Sequence, residues 1–287
     1  MKVSKKNALF LLSFVAVVIM AVLVSGCTGD DKSGADNGKI ETLTITGSTT
    51  VLPIGQAVAE KFMDQYSNTD LQVSGGGSSV GIQSAGEGTV DIGMASRDLK
   101  SSETEKYPEL IQHVVALDGI AVIVHKENLV DDITSENLVK VYKGEISNWK
   151  ELGGDDMEIV VVGRDSSSGT REFFYEKVME KQDFVKTQLE KNSNGAVKQT
   201  VSQTPGAIGY VSMGYLGEDV NGLGILENGE VILPNIENVV DGKYPIARTL
   251  NMITRGEPEG LAKEYLEFLK SPEGQSVVEK EGYIPIA

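Results

Sequence analysis

Cysteine, histidine and tryptophan are nearly missing from this chain: one Cys, two His and one Trp in 287 residues. A single cysteine allows no internal disulfide. Two histidines and one cysteine make no zinc set, so neither a metal nor another cofactor is expected. Positive charge is scarce too, with 26 Lys and Arg against 42 Asp and Glu and a formal net charge of −16. Binding a nucleic-acid backbone needs a basic face, which excludes nucleic acid as a partner. It does not exclude a small anion. Exposed charge is screened beyond about 8 Å at physiological salt, whereas buried amides and an arginine act at contact distance. No Walker-type lysine loop occurs, so nucleotide hydrolysis does not belong to this chain. Aromatic residues make up only 6%, yet hydrophobic residues reach 40%. That is enough for a core and unlike a disordered composition. The length allows one large or two medium domains.

The N-terminus holds a long apolar run of a recognisable kind. Lys2, Lys5 and Lys6 precede Ala8–Val24, which is apolar apart from Ser13. Val24-Ser25-Gly26 then lead into Cys27, the sole cysteine. Residues 1–26 read as a signal peptide, to be left out of fold reasoning. The small residues before Cys27 resemble the lipobox of exported lipoproteins, which implies lipidation of Cys27. The alternative is an uncleaved helical anchor, for which the run is at the short limit of a bilayer span. Either reading tethers the body at the outer face of the cytoplasmic membrane. Residues 27–39 are Gly- and Asp-rich without apolar periodicity and read as a flexible linker.

Four corners of one design follow. In Val160–Phe174 an apolar strand meets Arg164 and a serine-rich loop, then a helical segment opens at Gly169. The first amides of a helix lack intrahelical partners and point outward, so such a corner can hold an anion. Ser168 and Thr170 add hydroxyls, and Arg164 adds a planar fork suited to oxyanions. A second corner is Gly47-Ser48-Thr49-Thr50 before a helix with Pro53 in its first turn. Proline suits that place because its missing N–H has no partner there anyway. A third is Gly75-Gly76-Gly77-Ser78-Ser79, and a fourth is Ala95-Ser96-Arg97-Asp98. Each alone is ordinary turn and cap chemistry. Four together point to one shared oxyanion site.

Strands are expected near 42–46, 71–74, 90–95, 114–124, 158–163, 207–212 and 246–254. Helices are expected near 53–66, 79–86, 102–110, 135–143, 169–180, 259–270 and 272–281. Ile54, Val58 and Phe62 give the first helix one apolar face. Ser102 with Glu105 reads as a capping box, and Ser271-Pro272 as an N-cap with an N1 proline. The alternation predicts an α/β fold with mostly parallel sheets. The apolar run 114–124 is broken by Asp118-Gly119, a break that suits a crossing between lobes. Residues 213–245 read as irregular.

The stretches GSTTVLPI (47–54), SGGGSSVGI (74–82), DIGMASRDLK (91–100), ALDGIAVIVHKEN (116–128), VYKGEISNWKELGG (141–154), GRDSSSGTREFF (163–174) and TPGAIGYVSMGY (204–215) resemble the phosphate-binding proteins of ABC-type phosphate importers, the PstS family. The resemblance spans about 40 to 287. It implies a two-lobe, type II periplasmic-binding-protein fold, each lobe a mixed sheet flanked by helices, with phosphate in the interlobe cleft. Lobe 1 is expected to comprise 40–118 and 245–287, and lobe 2 to comprise 119–244. The expected function is a monomeric, non-enzymatic, lipid-anchored receptor that captures inorganic phosphate for an ABC permease and its ATPase subunits. Another tetrahedral oxyanion, sulfate or molybdate, is the nearest alternative ligand. Expected ligand contacts are Ser48, Thr49, Thr50, Ser78, Ser79, Ser96, Arg97, Asp118, Arg164, Ser168, Gly169 and Thr170. Many family members carry an aspartate where this chain has Ser96. The acceptor for a phosphate proton is therefore sought at Asp118 first, or at Asp98.

Several residues invite a second reading. Gly77-Ser78-Ser79-Val80-Gly81 fits a nucleophile elbow, and a serine hydrolase using Ser79 would need a histidine later in the chain. Only His113 and His125 exist, both at the ends of an apolar strand, so binding is favoured over catalysis. Arg97 is expected to reach the anion, with Asp98 or Glu103 as its alternative partners. Arg171 is expected to face solvent, and Trp149 to anchor a helix end in the core. Asp118, inside an apolar strand, needs a partner to be buried.

Overall fold

The computed structural model describes residues 40–286. Residues 1–39, with the expected signal peptide, Cys27 and the expected linker, fall outside the described residues. The described chain opens with β1 (Glu41–Gly47), α1 (Leu52–Gln65), β2 (Thr69–Gly75), α2 (Ser78–Glu87), β3 (Ile92–Ala95) and α3 (Ser101–Lys106). The long β4 (Leu110–His125) follows, then β5 (Asp132–Thr134), α4 (Ser135–Lys143), β6 (Val160–Arg164) and α5 (Gly169–Lys177). Next come β7 (Leu189–Lys191), α6 (Asn194–Ser202), β8 (Ala207–Ser212), β9 (Val220–Gly222), β10 (Gly224–Glu227), β11 (Glu230–Ile232) and α7 (Ile236–Val240). β12 (Ala247–Arg255), α8 (Gly260–Lys270), α9 (Pro272–Lys280) and β13 (Ile284–Pro285) end it.

The main sheet runs β2-β1-β3-β12-β4-β8-β6-β7, with β13 and β9 also on β4. It is mixed, not mostly parallel. β1 pairs in parallel with β2 and β3, and β6 with β7 and β8. β12 enters antiparallel between β3 and β4, and β8 lies antiparallel to β4. β4 itself joins the two halves. It pairs with β12 up to Gly119 and with β8 from Ile120, so the partner changes at the Asp118-Gly119 break. A Cβ at Gly119 would press on the flexible end of the Met213 side chain, which lies over the crossing.

Two large cores lie on either side of this crossing. One gathers Leu43, Val58, Phe62 and Ile92 with Leu250, Met252 and Tyr265 from the C-terminal segment. The other gathers Ile120 to Val124, Trp149, Val162, Phe174, Ile208 and Tyr210. Ile54, Val58 and Phe62 are fully buried, as their spacing on α1 predicts. Trp149 is buried and donates its indole N–H to Gly206 O at 2.9 Å, fixing the short turn it begins. Ser271 caps α9 through Gly274 N at 3.2 Å, with Pro272 in the first turn.

α3 departs from expectation. It begins at Ser101 with Lys100 as N-cap, and Glu103, not Glu105, accepts the Lys100 amide at 2.9 Å. Glu103 is held there by Arg97. Residues 213–245, expected to be irregular, contain β9 to β11 and α7. The small sheet β11-β10-β5 is built from strands too short to show a period.

Candidate anion-binding site

The four corners converge. At the first, Ser48 Oγ accepts the amides of Thr50 and Val51 at 3.1 and 3.4 Å, which shapes the turn into α1. Thr49 and Thr50 are thereby presented side by side, both buried. Tyr215 and Tyr283 clamp their carbonyls at 2.7 and 2.8 Å. At the second, Gly76 and Gly77 amides donate to Gly47 O, and Gly77 takes a positive φ of 95° before Ser78 begins α2. Ser78 Oγ accepts the Ser96 amide at 3.0 Å and lies 3.2 Å from Ser96 Oγ, which ties the second corner to the fourth.

The third corner sits on the opposite lobe. Asp165 Oδ1 accepts from Ser167 N and Oγ and shapes the loop. Ser168 caps α5 by accepting the Arg171 amide at 3.2 Å. The lobes meet here. Ser79 N donates to Ser167 O at 3.1 Å, and Thr50 and Thr170 hydroxyls lie 3.2 Å apart. A Cβ at Gly169 would collide with Ser78 Oγ, so the α5 N-terminus approaches α2 only as glycine.

Arg164 is almost wholly buried, 1% exposed. Its partners are neutral oxygens: Lys191 O, Asn192 O and Thr49 Oγ1, at 3.2 to 3.3 Å. Its Nη1 is buried without a hydrogen-bond partner. Burial pulls its pKa below the ordinary arginine value; Tyr210 and Asp165 work against this, and the Arg248 charge works with it. A buried cation with an idle donor is costly unless an anion meets it.

Two residues that the motifs did not reveal complete the site. Arg248 on β12 stands opposite Asp118 on β4 in the strand register. Its Nε and Nη2 bond Asp118 Oδ2 at 3.0 and 2.8 Å. It also donates to Ser96 O, Thr170 Oγ1 and Thr50 Oγ1. Asn194 opens α6 and donates to Thr50 Oγ1 at 2.9 Å and Thr49 Oγ1 at 3.3 Å. The one signal that could have led to Arg248 is the need of a buried Asp118 for a cation, because Arg248 is the one basic residue of the strand expected at 246–254. Asn194 leaves no such sign, because 194–202 lacks a strong apolar face.

Three expectations are corrected. Asp118 does not turn toward the cleft as a free acceptor: Arg248 fills Oδ2, and Ser212 Oγ donates to Oδ1 at 2.7 Å. Burial pushes the Asp118 carboxyl up, against the pull of Arg248, Ser212 and the Met213 amide. Asp98 instead accepts from Gln112 and Thr249 at the surface. Arg97 turns its Nη edge on Glu103 at 2.7 and 2.8 Å, so its alternative partner wins. Arg171 is part-exposed over the Phe184 ring. Ser79 Oγ faces Arg97 Nη2 at 3.3 Å, while His113 bonds Thr254 and His125 accepts the Glu127 amide. The elbow therefore has neither histidine as a base.

A two-lobed α/β receptor with an oxyanion cleft at the strand crossing is the class that fold and site define. The PBP superfamily domain matches residues 32–273. Phosphate-binding protein PstS of Bacillus subtilis is 39% identical over 290 residues, covering 98% of this chain and 95% of that protein. A phosphate ABC transporter substrate-binding protein of Clostridium perfringens, solved with bound phosphate, is 37% identical. It superposes with a TM-score of 0.80, over 86% of this chain and all of that one. An ABC-type phosphate transport receptor of Vibrio cholerae is 33% identical with a TM-score of 0.70, at the same coverage of this chain and all of its own. The chain belongs to the PstS family of phosphate-binding proteins within the PBP superfamily.

Proposed function

We propose that the protein is an extracytoplasmic receptor that binds inorganic phosphate between its lobes and hands it to an ABC importer. The carrying observation is the buried Arg164, whose Nη1 has no partner and whose hydrogen-bond partners are all neutral oxygens. With Arg248 offset by Asp118 and Arg97 by Glu103, one uncompensated positive charge remains in the cleft. A tetrahedral oxyanion supplies the missing charge. Thr49, Thr50, Ser78, Ser96, Ser168, Gly169 and Thr170 surround it with hydroxyls and helix-start amides. Asp118 and Arg97 support the cleft from behind, and Ser48 and Ser79 shape its rim. The lobes divide at 118/119 and 244/245, and closure about β4 traps the ligand.

The chemistry of Cys27 and the residues before it supports lipid anchoring at the outer face of the cytoplasmic membrane. Intact-mass measurement on membrane-derived protein tests that reading; a full-length chain with a free thiol overturns it. Titration calorimetry with inorganic phosphate tests the main reading. Saturable binding at micromolar phosphate is expected, and a folded protein that gives none overturns it. Tighter binding of sulfate or molybdate than of phosphate instead assigns the cleft to that other oxyanion.

A further inference from the structure

Resting on the oxyanion reading, the hydrogen-bond directions in the cleft carry one step more. A hydroxyl has one hydrogen to donate and two lone pairs to accept with. The Ser212 amide can only donate, and it meets Asn194 Oδ1 at 3.2 Å. That fixes the orientation of the Asn194 amide, so its NH₂ faces the threonines. Thr50 Oγ1 then accepts from Asn194 Nδ2 and from Arg248 Nη2. Thr49 Oγ1 accepts from Asn194 Nδ2 and from Arg164 Nη2. Both threonines have their lone pairs filled. In the contact with Thr170, Thr50 must therefore be the donor. Thr170 Oγ1 also receives Arg248 Nη1 at 3.0 Å, so its lone pairs are filled as well. Every N–H of Arg248 is engaged.

We propose that Asn194, with Arg248, fixes the polarity of this hydroxyl chain, so that Thr50 spends its hydrogen on Thr170 while Thr49 and Thr170 can only donate to a ligand, and that this threonine side of the cleft thereby favours ionised oxyanion edges over protonated ones. The ligand form it favours is dianionic phosphate over the monoanion. Asn194 acts as a positioning and specificity-determining residue through hydroxyls it turns. Removing its side chain frees a lone pair on Thr49 and on Thr50. Thr170 can then donate to Thr50, and its own freed lone pair can accept a P–OH proton.

The charged and titratable groups facing this chain are Arg164 on β6, Arg248 on β12, Asp118 on β4, and Tyr215 and Tyr283 behind the threonine carbonyls. Burial raises both tyrosines further from neutrality. Sulfate, which keeps its charge across the range, reports any titration of Asp118. The experiment is calorimetry with phosphate and with sulfate, from mildly acidic to mildly alkaline pH, on the parent, Asn194→Ala and Thr50→Val. Thr50→Val is the second variant because it also frees a lone pair on Thr170. Relative to sulfate, parent affinity for phosphate should fall at least about tenfold on acidification, a tenfold change being about 1.4 kcal/mol. Both variants should bind less tightly at alkaline pH yet lose less than about threefold, under 1 kcal/mol on the same scale. Variants weakened equally at every pH overturn the inference and leave phosphate binding standing. A parent that binds no phosphate overturns both.

Discussion

At the scale of single residues, the cleft divides its arginines by their partners. Arg97 and Arg248 each face a carboxylate, whereas Arg164 does not. Arg97 also keeps an unpartnered buried Nε, but its charge is met by Glu103, whereas the unpartnered Nη1 of Arg164 belongs to a guanidinium that no carboxylate contacts. Arg164→Ala should therefore remove a charge-assisted contact that no other cation replaces. Truncating a charged group that meets a buried ion costs about 2–5 kcal/mol. Phosphate affinity should drop at least about 30-fold, since about 1.4 kcal/mol is tenfold. Calorimetry on the folded variant checks this, and unchanged affinity would place Arg164 outside the site. Arg164, Ser168 and Thr170 are readable in the sequence because a strand, a small-residue loop and a helix start lie within one stretch. Arg248 is not, because its function is set by the strand register that places it beside Asp118. Arg97 misleads for a related reason. Glu103 lies six residues away, and only the short α3 brings its carboxylate back onto the guanidinium.

At the scale of elements, the start of α5 lies close against the start of α2. Side chains there are limited to what Gly169 and Ser78 allow. Gly169→Ala adds one methyl at a buried contact between the two lobes. Overpacking of this kind costs about 1–3 kcal/mol. Here the penalty should fall on closure, because each lobe keeps its own core. Phosphate binding should weaken at least about fivefold, about 1 kcal/mol, while far-ultraviolet circular dichroism stays as in the parent. A variant that binds as the parent does would mean that the two helix starts can separate without loss. The elements themselves were largely readable: α1, α4, α8 and α9 follow their apolar spacing, and Ser271 caps α9. The sheet order was not, since β12 finds its neighbours β3 and β4 far earlier in the chain, Asn251 against Ala95 and Arg248 against Asp118, beyond any local pattern.

At the scale of the whole molecule, acidic residues outnumber basic ones, and pH should act on stability through those that are paired. Burial alone would raise the Glu103 carboxyl, but hydrogen bonds from Arg97 and the Lys100 amide outweigh it and hold it below the ordinary value. A carboxylate lowered in the folded state binds its proton less readily there than in the unfolded chain. Its contribution is present above the unfolded pKa, about 4.3 for glutamate, and is lost as pH falls through the lower folded value. Glu103→Gln should thus lower the thermal midpoint at neutral pH, and the difference from the parent should shrink in acid. A difference that holds constant down to strongly acidic pH would show that the Arg97–Glu103 pair carries no linkage.

The insertion of β12 between β3 and β4 also fixes an order of events. The half containing Leu43, Phe62 and Ile92 draws its closing strand and two covering helices from the last segment of the chain. Until Ala247–Arg255 has emerged from synthesis, β3 and the first half of β4 are open edges with unpaired amides and carbonyls. The other core is drawn almost entirely from residues 120–246, a continuous run. The second core is thus complete in sequence before the first, and the cleft, which needs Arg248 on β12, is complete only once the two ends of the described chain have met.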